Sequence, residues 1–146
     1  LKRTLSLGTA TIDAASLTAS TGDVTATAGN LVATSGAVRY ENGGSVTQGT
    51  SKSTGVTLNT PTGKITMHAA ALASDAIVTF TVTCGAARAT DVCIVNHHSG
   101  GTIGKYSVDA TGHAAGSFKI TVTNISGGSL SEAIVLHYAL IKTAHT

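Results

Sequence analysis

The side chains most able to do chemistry are the doublet His97-His98, followed at once by Ser99-Gly100-Gly101. Adjacent imidazoles raise the question of a metal ion. Neighbouring residues on a strand point to opposite faces, so the doublet offers one ligand to any one site unless a threefold axis gathers three copies. Exposed histidines at a strand end are therefore expected, with no metal. His68, His113, His137 and His145 show no ligand-like spacing among themselves and read as surface or interface residues. The seven acidic residues include only two glutamates, Glu41 and Glu132, and no carboxylate pair of the glycosidase kind stands out. A Ser-His-Asp triad lacks its G-x-S-x-G elbow, and the glycine-rich segments lack the lysine and helix opening of a phosphate loop. No catalytic, cofactor-binding or metal-ligating residue is assigned, no cofactor is expected, and the chain reads as a non-enzyme.

Two cysteines, Cys84 and Cys93, flank a short loop and are too few for a disulfide framework. Two buried, reduced thiols are the expectation, with a bridge across a hairpin that could oppose them as the alternative. Composition narrows the reading further. More than half of the 146 residues are Ala, Thr, Ser or Gly, charged residues are 11% and aromatics 3%, with no Trp. An ordinary domain has about 25% charge, so any core here must be built from Val, Ile, Leu and Ala. The formal net charge is +2, with no cluster of Lys and Arg beyond Lys2-Arg3. That leaves no footprint for a nucleic-acid backbone. Apolar stretches fall far short of the roughly 20 residues a membrane helix requires, so no membrane insertion is expected. Leu1-Lys2-Arg3 is not followed by an apolar block, and no secretory signal is read there.

The elements that would position these residues fall into two parts, residues 1–39 and 40–146. From Leu17 the chain reads LTASTGD, VTATAGN, LVATSGA and then Val38, three sevens that place Gly22, Gly29 and Gly36 at one position and Leu17, Val24, Leu31 and Val38 at another. A coiled coil needs two apolar positions per heptad, and its fillers are not Thr, Ser and Gly. Short strand and turn units fit better. A single apolar residue per seven is too little for one chain to bury, so the first part is read as an extended repeat or attachment segment that shares its apolar row with identical chains around a threefold axis.

From Tyr40 the pattern changes to strands over residues 54–59, 64–67, 76–84, 91–96, 105–110, 117–124 and 132–142, with one helical turn over 68–75. Alternation places Val78, Phe80 and Val82, and likewise Phe118, Ile120 and Val122, on an inward face. The last strand is apolar on both faces, which fits either a central strand or one whose outer face meets another subunit. The fold class expected is all-β, an antiparallel β-sandwich like a jelly roll, serving as the head behind the repeat segment.

The stretch SLTASTGDVTATAGNLVATSG resembles repeats in the shafts and attachment segments of tailed-bacteriophage fibres. The stretches SVTQGTSKSTGVTLNTPTGKITM, DVCIVNHHSGGTIGKYSV and GSLSEAIVLHYALIK resemble a C-terminal domain of phage and prophage virion proteins. The resemblance implies a structural virion protein, a homotrimeric fibre, spike or capsid-decorating element, assembled in the host cytoplasm and partnered by capsid or tail proteins. It carries over no catalytic residue. The alternative is a receptor- or glycan-binding tip on the same scaffold, with a host-surface glycan as partner. Sugar sites favour aromatic platforms, and Tyr40, Tyr106, Tyr138, Phe80 and Phe118 are the only aromatics of that kind.

Overall fold

The structure, a computed structural model, describes residues 37–40 and 43–143. The heptad positions before residue 37, and the extended form expected for them, lie outside the described residues. All the strands among the described residues fall within the unit Arg39–Thr146. They are β1 (Ser45–Thr47), β2 (Val56–Thr57), β3 (Thr62–Thr66), β4 (Ile77–Thr83), β5 (Val92–Ser99), β6 (Tyr106–Ala114), β7 (Ser117–Asn124) and β8 (Val135–Ile141). No helix occurs among the described residues. One sheet has the order β1-β3-β8-β5 and the other β2-β4-β7-β6.

The all-β sandwich expected from the strand spacing is what forms, with a different topology. Both sheets are mixed, because β1 pairs parallel with β3 and β2 parallel with β4. These parallel pairs depart from the antiparallel Greek keys of a jelly roll. Their origin is the path of the chain, which alternates between the sheets over its first four strands. Each return to a sheet brings the chain back in the same direction. Spacing along a sequence locates strands, but it does not say which strand each one meets.

Alternation explains the core. On β4 and β7 the register sets Val78 against Val122, Phe80 against Ile120 and Val82 against Phe118. Phe118, Ile120, Val122 and Val82 are fully buried, and Phe80 nearly so. The other sheet contributes Ile65, Leu136, Tyr138 and Leu140 to the same cluster. Phe118 and Tyr138 meet edge to face across the two sheets, ring centroids 5.2 Å apart at 61°. The Tyr138 hydroxyl donates to the carbonyls of Leu58 and Thr60, at 3.2 and 3.0 Å. Gly63 on β3 is small for a reason: a Cβ there would stand 2.3 Å from Leu58 Cδ2 and 3.1 Å from the Tyr138 ring.

Residues 68–75 form a loop instead of the expected helical turn. Leu72 and Leu130 exchange backbone hydrogen bonds of 2.9 and 3.0 Å, and Asp75 takes a left-handed φ of 60°. The fully buried Asn124 closes this end, its Nδ2 donating to the carbonyls of Leu72, Ala73 and Gly128 at 2.8 to 3.0 Å. Its Oδ1 accepts from the Ser126 backbone N–H at 2.9 Å.

Emptying the centre of this layer should be costly. Phe118→Ala is expected to lower the free energy of unfolding by about 3–5 kcal/mol. Thr81→Ala, on the exposed face, should stay within about 0.5 kcal/mol of the parent. Urea unfolding measures both, and equal small shifts would contradict the shared core.

Candidate functional site

The two outer faces of the sandwich differ in chemistry. On the β4-β7-β6 side the outward residues are mostly polar, Thr79, Thr81, Lys119, Thr121, Asp109 and Thr111 among them, with Ile77 at the start of β4 the apolar exception at 66% exposed. Thr79 and Thr121 lie 2.9 Å apart, hydroxyl to hydroxyl. The opposite face is apolar at its β5 edge. Val92 is 52%, Ile94 56% and Ile141 44% exposed, and the register places Val92 beside Ile141 and Ile94 beside Ala139. β5 ends its sheet, so this row borders a strand edge with no pairing partner among the described residues. A long apolar edge strand left in water templates association with another chain. Next to the row is a shallow depression of about 130 Å³ lined by Ile94, Asn96, His137, Tyr138 and Ala139. Small-molecule sites usually enclose roughly 300–1,000 Å³, so the face suits contact with a surface better than capture of a metabolite.

The histidine doublet divides as its strand geometry requires. His97 turns inward, where its ring meets Tyr106 edge to face at 5.6 Å and its Nε2 lies 2.7 Å from the Gly100 carbonyl. His98 turns outward, and there the structure adds what spacing concealed: the ring of His137, on β8, lies 5.3 Å away. The two are 39 residues apart in sequence and share a face only because β5 pairs with β8. Burial holds His137 below the usual histidine pKa, and the neighbouring His98 and Lys64 push it further in the same direction. His68 is taken up by the backbone, its Nδ1 accepting from the Ala70 N–H at 3.0 Å. His113 stacks on Phe118 at 6.2 Å, and His145 lies outside the described residues.

A second polar cluster was not legible in the sequence at all. Lys52 is buried, and its ammonium donates to the carbonyls of His68 and Glu132 at 2.7 and 2.6 Å. The Glu132 carboxylate accepts from the Thr102 N–H at 2.9 Å, the Thr102 hydroxyl at 2.6 Å and the Tyr106 hydroxyl at 2.9 Å. Desolvation lowers the Lys52 pKa, partly opposed by the Glu132 charge, while the Thr102 hydrogen bonds hold Glu132 below its ordinary value. Buried Gln48 completes the tie by donating to the carbonyls of Lys52 and Thr54, at 3.0 and 2.8 Å. These groups anchor loops to one another, because each charge spends its hydrogen bonds on the protein itself. Asp91 and Lys142 form an ion pair that fastens the end of β8 to the start of β5.

Cys84 and Cys93 are both free thiols. They do not face each other on a hairpin, since Cys84 follows β4 of one sheet and Cys93 lies on β5 of the other. Burial pushes the Cys93 thiol up to about 12, which keeps it protonated and unreactive. Among the described residues no three His, Cys, Asp or Glu side chains converge as a metal site. No helix there is long and apolar enough to cross a membrane. Comparison of the chain with known protein families, curated proteins and solved structures found no match.

The buried phenols give a measurable signature. Burial, then the Glu132 hydrogen bond, raises Tyr106 to about 12, and burial raises Tyr138 to about 12. A phenol that holds its proton longer when folded stabilises the fold below the unfolded pKa of 10.0, and that contribution disappears as pH rises through 12. Stability should therefore decline steadily above pH 10. Phenolate absorbance in the folded protein should show late steps that Tyr106→Phe and Tyr138→Phe each remove. Ionisation of these two near pH 10 would contradict their burial.

Proposed function

We propose that the protein is a structural, non-enzymatic virion protein of a tailed phage, a homotrimeric fibre, spike or capsid-decorating element. The observation that carries this reading is the apolar row of Val92, Ile94 and Ile141 at the β5 edge of its sheet. An isolated sandwich has no use for an apolar strip there, whereas a subunit contact buries it. The heptad positions Leu17, Val24, Leu31 and Val38 support the same reading from another part of the chain, since one apolar residue per seven needs partners. In this account residues 1–39 form the extended attachment segment and the sandwich is the exposed head. Its partners are copies of itself and the capsid or tail proteins of the particle, and its location is the virion. The glycan-binding tip ranks second. Tyr106 and Tyr138 are buried, leaving Tyr40 as the exposed tyrosine among the described residues.

Light scattering on the purified protein should return three times the chain mass of 14.4 kDa at micromolar concentration. Val92→Lys combined with Ile94→Lys should shift it to monomer with an unchanged circular dichroism spectrum, because both side chains lie outside the core. Leu31→Asp should likewise dissociate or misassemble it. A monomeric parent, or a trimer indifferent to all these changes, would refute the assembly. Antibody labelling of intact particles tests the location.

A further inference from the structure

We propose that His98 and His137 form a two-imidazole binding site for a divalent transition-metal ion of the zinc, nickel and copper kind, on the outer face of the β3-β8-β5 sheet. The site is made by side chains of one chain and lies beyond the far end of the apolar row, from the Asn96–His137 pair onward, so it does not depend on the proposed trimer.

Three observations converge on this pair. The ring centroids stand 5.3 Å apart. Two imidazoles bound to one tetrahedral ion through metal–nitrogen bonds of about 2.0–2.1 Å place their centroids about 5 Å apart, so the pair is already spaced for a shared ion. The second observation is a β-bulge. His97 pairs with Leu136 and Ser99 with Val135, which leaves His98 as the extra residue of β5. Bulges recur beside functional sites, and here one breaks the pairing register next to His137. The third is that both rings are free to bind: unlike His97 and His68, neither is engaged by a hydrogen bond among the described residues.

The chemistry of the surroundings fits a neutral-donor site. Asn96 is the register partner of His137 on β5 and lines the depression beside it, so an amide oxygen is at hand as a further, weaker donor. The titratable groups beside His137 are Lys64, its ladder partner on β3, and His98 of β5, which meets it ring to ring. Lys64 acts in two opposed ways. Its charge disfavours protonation of His137, keeping that ligand in the metal-binding form, and it also repels an incoming cation. Imidazole nitrogens without thiolate or carboxylate select borderline transition metals over calcium or magnesium, which prefer oxygen. With two protein ligands the ion keeps open positions for water or for a donor from outside the chain.

The test uses the full chain in its native assembly. Zn²⁺ is titrated calorimetrically, and Cu²⁺ is followed by electron paramagnetic resonance, where each bound imidazole nitrogen adds hyperfine structure. One ion per His98–His137 pair is expected, with a two-imidazole copper spectrum. His98→Ala and His137→Ala should each weaken binding about tenfold or more, the scale on which damage to a metal site is felt. His68→Ala should leave it unchanged. Mg²⁺ should not compete. Circular dichroism keeps the variants interpretable, since His98 is exposed and its removal leaves the core intact. Parent-like binding by the His98→Ala/His137→Ala double variant, a copper spectrum with no imidazole nitrogen, or no uptake of Zn²⁺ and Cu²⁺ would overturn the proposal.

Discussion

The contact between Phe118 and Tyr138 joins the two sheets at their centre, and the rest of the sandwich is arranged around it. With aromatics at 3% of the chain and no Trp, few large side chains are available to fill the space between sheets. Phe118 supplies one ring from β7, and Tyr138 the other from the interior strand β8. Aliphatic neighbours close the layer: Ile120, Val122 and Val82 from one sheet, Ile65, Leu136 and Leu140 from the other. Close packing at this point also explains the glycine in β3, because any side chain at Gly63 would press on Leu58 and the Tyr138 ring. Edge-to-face aromatic pairs add about 0.5–1.5 kcal/mol to the burial of their surface, a modest gain that matters more where rings are scarce.

Polar groups hold the periphery in place of a larger core. Asn124 and the Lys52–Glu132–Tyr106 cluster tie loops that contribute little apolar surface, and each does so with its donors and acceptors paired inside the protein. A buried lysine loses much hydration, and hydrogen bonds to two carbonyls return part of it. Replacing such groups singly leaves their partners unpaired, which costs more than the bond itself contributes. The low overall charge of the sequence therefore conceals a few charges with structural duties.

Much of the β-sandwich was legible from alternation alone. Val78, Phe80, Val82, Phe118, Ile120 and Val122 point inward as period two requires, and β7 occupies the residues expected of it. The short strand β1 was not visible, because three residues of Ser, Val and Thr carry no pattern. Pairing was not visible either. Parallel β1–β3 and β2–β4 contacts arise from long-range crossings that leave no local trace. The same blindness hides the His98–His137 pair: spacing relates each histidine only to its sequence neighbours, while the sheet joins strands far apart in the chain. Lys52 and Glu132 were missed for that reason too, their meeting being a product of loop closure over 80 residues.

The threonine-rich face carries a hydroxyl contact of its own between Thr79 and Thr121, whereas Val92, Ile94 and Ile141 make a contiguous apolar row at the β5 edge whose burial would release free energy. Association through that edge is the central claim. Hydrogen–deuterium exchange, compared at protein concentrations above and below assembly, tests it most directly. The account predicts that amides of β5, with the adjoining end of β8, slow on assembly, while those of β4 and β6 do not change. Protection gained at β4 and β6 instead, or at no strand, would contradict it.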